Sequence, residues 1–145
     1  MGLVDDLAAP IAIDTAIIIY LIEQNEGFLP AIRPLFKAAD RGDIELVTSE
    51  VTLLEVLVGP YRAGDADLAA RYEALLTRSR GLTLVALSRP VIRAAAQLRA
   101  TRAIRTPDAL QLAAALSRRC GSFLTNDRRI PSLPGLPVVQ VSDRV

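Results

Sequence analysis

The stretch Thr106-Pro107-Asp108-Ala109-Leu110-Gln111-Leu112-Ala113-Ala114-Ala115-Leu116 constrains this chain most. Thr106 suits a helix cap, Pro107 the first helical position, and Asp108 the first turn. The remainder is almost entirely Leu and Ala. A helix apolar nearly all round must be covered on several sides. Asp108 is thereby expected at the N-terminal rim of a buried helix, where the macrodipole favours a carboxylate.

Covering such a helix takes layers, and the chain supplies them. Pro10-Ile11-Ala12-Ile13 reads as a short buried strand, and Asp14-Thr15 caps an apolar helix that ends near Glu26-Gly27. Residues 1–9 read as a loose lead-in. Residues 30–40 form a second helix, broken at Arg41-Gly42-Asp43. Ile44-Glu45-Leu46-Val47 is the second strand, leading into Thr48-Ser49. Val51 to Val58 is a helix expected to stop at Gly59-Pro60. Asp65 or Asp67 opens the next, with Leu68, Tyr72, Leu75 and Leu76 on one side, and Gly81 ends it. Leu82 to Val85 is the third strand. A helix marked by Val91, Ala95 and Leu98 precedes the one from Thr106. Ser122 to Thr125 and Val138 to Val141 are the last strands, the latter an edge. Strands separated by helices imply a three-layer α/β/α sandwich around a mainly parallel sheet of four to five strands. No repeat or linker divides residues 1–145, so one domain is expected.

Four carboxylates stand at comparable places in this plan. Asp14 follows the first strand, Glu55 lies on the helix after the second, Asp108 opens the helix before the fourth, and Asp127 follows that strand. Open parallel sheets bind ligands beyond the carboxyl ends of their strands, so all four can share one edge. Each also has a local explanation. Asp14 can simply cap a helix, Thr52-Leu53-Leu54-Glu55 fits a capping box, and Asp127 fits a turn. Glu50 rivals Glu55 but reads as a solvated first-turn acid.

Composition narrows the chemistry. The chain has no His and one Cys, Cys120. This excludes a His-containing triad, His-ligated zinc, an internal disulfide and a Cys cluster. No phosphate-binding P-loop sequence occurs. Clustered carboxylates repel and need a counter-charge. An oxygen-only set calls for a hard ion, Mg²⁺ or Mn²⁺, which acts mostly on phosphates. Net charge is +1 and selects no partner, although only Lys37 of the 17 basic residues is not Arg. The short apolar run from Ile11 to Ile22 contains Asp14, so no membrane span or signal peptide is expected and the protein reads as cytoplasmic.

Ile13-Asp14-Thr15, Thr52 to Leu57, Thr106 to Ala115 and Leu124-Thr125-Asn126-Asp127 together resemble, in order, the signature segments of PIN-domain ribonucleases. The resemblance is to the VapC-type toxins of bacterial toxin–antitoxin pairs. It implies a metal-dependent endoribonuclease with Asp14, Glu55, Asp108 and Asp127 as catalytic and metal-binding acids. It implies that Thr15, Thr125 and Asn126 orient ligands and waters behind them. A homodimer and a cognate antitoxin that covers the site also follow from it. The lead-in before Asp14 is longer than the family's, and Ala16 stands where the family often has Ser or Asn. RNA phosphates would then meet Arg99, Arg102 and Arg105 before Asp108, and Arg128 and Arg129 after Asp127. A Mg-dependent phosphoacceptor module is an alternative, but it needs a Lys after a late strand and Lys37 lies in an early helix. A catalytically inactive PIN-like binding protein is another, against which stands the presence of all four acids.

Overall fold

The computed structural model describes residues 2–145. Its elements run α1 (Leu3–Asp6), β1 (Ile11–Ile13), α2 (Thr15–Ile22), α3 (Leu29–Asp40), β2 (Leu46–Ser49), α4 (Glu50–Arg62), α5 (Ala66–Arg78), β3 (Leu82–Val85), α6 (Arg89–Thr101), α7 (Thr106–Ser117), β4 (Ser122–Thr125) and β5 (Val138–Gln140), closed by a 3₁₀ turn at Val141–Arg144. The five strands form one sheet in the order β3-β2-β1-β4-β5, and every pairing is parallel. This is the expected α/β/α sandwich.

Alternation along the strands splits the core. Ile11, Ile13, Leu46 and Leu124 face one apolar cluster with Ile17, Ile32, Leu35 and Leu76. Ala12, Val47 and Phe123 face the other, filled by Val91, Ala95, Leu112 and Ala113. The inner strands β1, β2 and β4 are buried throughout, which is why they read as continuous apolar runs. Helix α7 is buried as expected, from Ala109 through Ala115 apart from Leu110.

The chain builds β1, β2 and β3 outward in one direction. It then returns through α6 and α7 to lay β4 on the opposite side of β1. The order therefore reverses between β1 and β4, and a crevice opens beyond their carboxyl ends. Asp14 leaves β1 there, with its amide donating to Leu124 O at 3.3 Å.

Several local expectations are corrected. Residues 3–6 are helical, because Leu3 and Leu7 bury against the first cluster. Strand β2 sits two residues later than expected and includes Thr48 and Ser49, whose hydroxyls find buried partners. Helix α4 runs through Gly59-Pro60 to Arg62; Pro60 is buried, and its packing outweighs the lost amide bond. Arg105, not Thr106, precedes the first turn of α7, and no side chain caps that helix.

Gly81 leads into β3 with φ +77°, and a Cβ there would stand 2.3 Å from Ala39 O. Gly81→Ala is expected to destabilise the chain by at least about 2 kcal/mol in urea unfolding, through strain and collision together.

Candidate active site

Asp14 follows a buried strand and is itself 8% exposed. It occupies the cap position of α2, yet its side chain makes no capping bond. Instead Oδ2 accepts from the Thr125 hydroxyl, and Oδ1 is buried without a partner among the described residues. Burial pushes its carboxyl up to about 6, and the charge of Asp108 adds to that. The Thr125 hydroxyl opposes it.

Thr125 serves two acids. Its oxygen also accepts from the Asp127 amide at 3.0 Å. Asp127 is quarter-exposed and accepts from the Arg129 amide, from Arg129 Nε at 3.0 Å and Nη2 at 2.9 Å, and from Arg105 Nη2 at 3.1 Å. Arg129 chiefly holds its carboxyl below the usual range. Arg105 spans to Asp108 as well, with Nε 3.0 Å from Oδ2. One guanidinium thus bridges the acid that opens α7 and the acid that follows β4.

Glu55 reaches the edge from the other layer. Its Oε1 accepts from the Thr15 hydroxyl at 2.5 Å. The capping-box reading fails, because α4 starts earlier, at Glu50, and Ser49 caps it. Thr52 turns inward instead, into a buried group of Thr48, Ser49 and Gln111. Glu50 is in the first turn as expected, but its Oε1 also accepts from the Leu87 amide at 3.0 Å.

The expected acids therefore lie along one end of the sheet, in two linked sets. Asp14, Asp108 and Asp127 are joined through Thr125 and Arg105, and Glu55 stands beside Asp14 through Thr15. Among the described residues, no three Asp, Glu or Cys side chains converge on a single ion position. Guanidinium groups and two threonine hydroxyls engage the carboxylates instead. Asn126 binds Tyr20 Oη at 3.0 Å and the Ser142 amide, not an acid. Of the other arginines, Arg99 closes the α6–α7 loop on Ile104 O, and Arg128 pairs with Asp143 at 2.5 Å. Arg102 is exposed. Gln111, Ser49 and Thr48 escaped sequence reasoning; the one available signal was a lone amide in an otherwise apolar helix.

An all-oxygen donor set and a buried carboxylate oxygen without a partner fit a hard divalent cation. The sequence profile of the PIN domain matches residues 11–136. The chain belongs to the PIN-domain family. That family is generally one of divalent-metal-dependent nucleases. Solved structures share the fold. A toxin–antitoxin complex from Klebsiella pneumoniae is 23% identical with TM-score 0.67, over 90% of this chain and 96% of that one. DNA-bound VapBC from Salmonella typhimurium is 20% identical with TM-score 0.65, over 90% and 97%. VapBC2 from Rickettsia felis, bound to a promoter DNA fragment, is 18% identical with TM-score 0.63, over 90% and 98%. No curated protein matches the sequence. In this PIN domain no described helix is long and apolar enough to cross a membrane.

The raised Asp14 carboxyl has a stability consequence. The folded chain holds that proton more tightly than the unfolded chain, whose value is near 3.8. Without metal, stability should fall as pH rises from about 4 to about 6 and then level, a loss of about 3 kcal/mol. Asp127, shifted downward, acts with the opposite sign and only below that window. Urea unfolding of the metal-free protein and of Asp14→Asn, at pH 4 and pH 7.5, should show the substitution stabilising at the higher pH alone.

Proposed function

We propose that this chain is a metal-dependent endoribonuclease that hydrolyses RNA phosphodiester bonds. In this reading it is the toxin of a type II toxin–antitoxin pair, and residues 1–145 act as one PIN-like domain in the cytoplasm. The observation that carries the reading is Asp14: a buried carboxylate at the crevice between β1 and β4, one oxygen without a partner among the described residues, linked through Thr125, Asp127 and Arg105 to Asp108.

Asp14, Glu55, Asp108 and Asp127 would hold Mg²⁺ or Mn²⁺ only once Arg105 and Arg129 release the outer acids and the carboxylates draw together, since no three of them converge on one point in this arrangement. Such an ion would supply Lewis acidity toward a phosphoryl oxygen and would lower the pKa of water, so that hydroxide is available as the nucleophile near neutral pH. The chain's own residues prepare that edge. Thr125 fixes Asp14 Oδ2 and the backbone at Asp127 in one geometry. Thr15 fixes Glu55. Asn126 supports the same turn indirectly, by tying it to Tyr20 and Ser142. Arg105 and Arg129 neutralise the exposed acids and stand where a phosphate would approach. With Arg99, Arg102 and Arg128 they form the basic border that positions an RNA backbone without reading its sequence. A cognate antitoxin and a homodimer belong to the same reading, which is supported by the toxin–antitoxin complexes among the similar folds.

Cleavage of total RNA by the purified chain tests it. Cleavage should require Mg²⁺ or Mn²⁺, and Asp108→Asn should lower the rate at least about 100-fold while the circular dichroism spectrum is retained. Undiminished cleavage by Asp108→Asn, or cleavage in excess chelator, would overturn the assignment.

A further inference from the structure

Gln111 is the one polar side chain among the buried residues of α7, and it is 4% exposed. Leucine or alanine would suffice for packing there, and a buried amide is costly unless both ends are satisfied. Both are. Oε1 accepts from Ser49 Oγ at 2.6 Å. Nε2 donates to Thr52 Oγ1 at 2.9 Å and lies 3.4 Å from Thr15 Oγ1.

Counting protons fixes every direction in this group, since a hydroxyl carries only one. Thr48 donates to Ile13 O at 2.8 Å. The 2.7 Å contact between Thr48 and Thr52 therefore has Thr52 as donor. Thr52 must then receive from Gln111. Thr15 donates to Glu55, so it too receives from Gln111. Two lines run outward from one amide. One ends on the carbonyl of Ile13, the residue before Asp14. The other ends on the Glu55 carboxylate.

Thr15 and Thr52 are only 3.2 Å apart. Without the Gln111 amide, the vacant acceptor on Thr52 would compete with Glu55 for the Thr15 proton. We propose that Gln111 is a positioning residue for Glu55: by occupying Thr52, it leaves the Thr15 hydroxyl to donate to Glu55 and hold that carboxylate at the metal edge. The proposal rests on the metal-binding reading above.

Mn²⁺ titration of the full chain, followed by the paramagnetic resonance signal of free Mn²⁺, tests it without any assay of cleavage. Gln111→Met should raise the Mn²⁺ Kd about 10-fold. Adding Thr52→Val removes the rival acceptor and should bring the Kd back to within about twofold of the wild-type value, a non-additive result. A merely structural role predicts that the second substitution further weakens binding. Wild-type affinity in Gln111→Met, or no recovery in the double variant, overturns the proposal. Failure of the wild-type chain to bind Mn²⁺ is a different result; it overturns the metal reading and this proposal with it. Should Gln111→Met not fold, the unmodified chain still decides. Nuclear Overhauser effects from the Gln111 side-chain amide protons to the Thr15 and Thr52 methyl groups are expected, and their absence, with effects to Ser49 instead, reverses the amide and overturns the assignment.

Discussion

A carboxylate at the end of a fully buried strand is the constraint around which this molecule is arranged. The sheet carries Asp14 into a place where water cannot stabilise its charge. Burial favours the protonated form, and the Thr125 hydroxyl recovers only part of the lost solvation. Asp108 and Asp127 meet the same difficulty differently. They lie nearer to solvent, so Arg105 and Arg129 can reach them and answer their charge directly. The result is a graded edge, in which the deepest acid resists ionisation and the outer ones are paired with guanidinium groups.

That gradient follows from topology. Reversal of strand order between β1 and β4 opens a crevice at the carboxyl ends, and helices on both faces then point their first turns at it. Helix α7 brings Asp108 from one layer, and α4 brings Glu55 from the other. Parallel connections are long, so residues that meet here are far apart in sequence. Thr125 touching Asp14 and Gln111 touching Ser49 both join segments that only the finished sheet brings together.

Much of this was legible in the sequence, and what was not has physical causes. An apolar run that stops at an acid marks a buried strand or helix end, which located Asp14, Asp108 and Asp127 and the layered fold. Polar residues inside such runs misled, because a hydroxyl can cap a helix or satisfy a buried partner with equal ease. Thr48 and Ser49 therefore looked like residues beyond the end of the second strand, Thr52 looked like a helix cap with Glu55 reaching back to it, and Thr106 looked like a cap for α7. Pro60 looked like a stop, since the packing that tolerates it is tertiary. The arginines near the acids were read as a border for phosphate. That Arg105 bridges Asp108 and Asp127, and that Arg99 and Arg128 engage Ile104 and Asp143, depends on distances no sequence carries.

In the proposed reading, the graded edge also bears on how a cation would enter it. Arg105 and Arg129 are more than half exposed, and pairs of that kind contribute about 1 kcal/mol or less. Loosening Arg105 from Asp108 and Asp127 therefore costs little, and the displaced guanidinium finds water or phosphate nearby. Asp14 is the opposite case. Its burial sets the charged form about 3 kcal/mol less favourable in the folded chain than in the unfolded one. In that reading the buried acid would supply the pull for a cation and the partly exposed acids the room. In the proposed reading, the burial that weakens the metal-free fold would also favour a hard cation at Asp14.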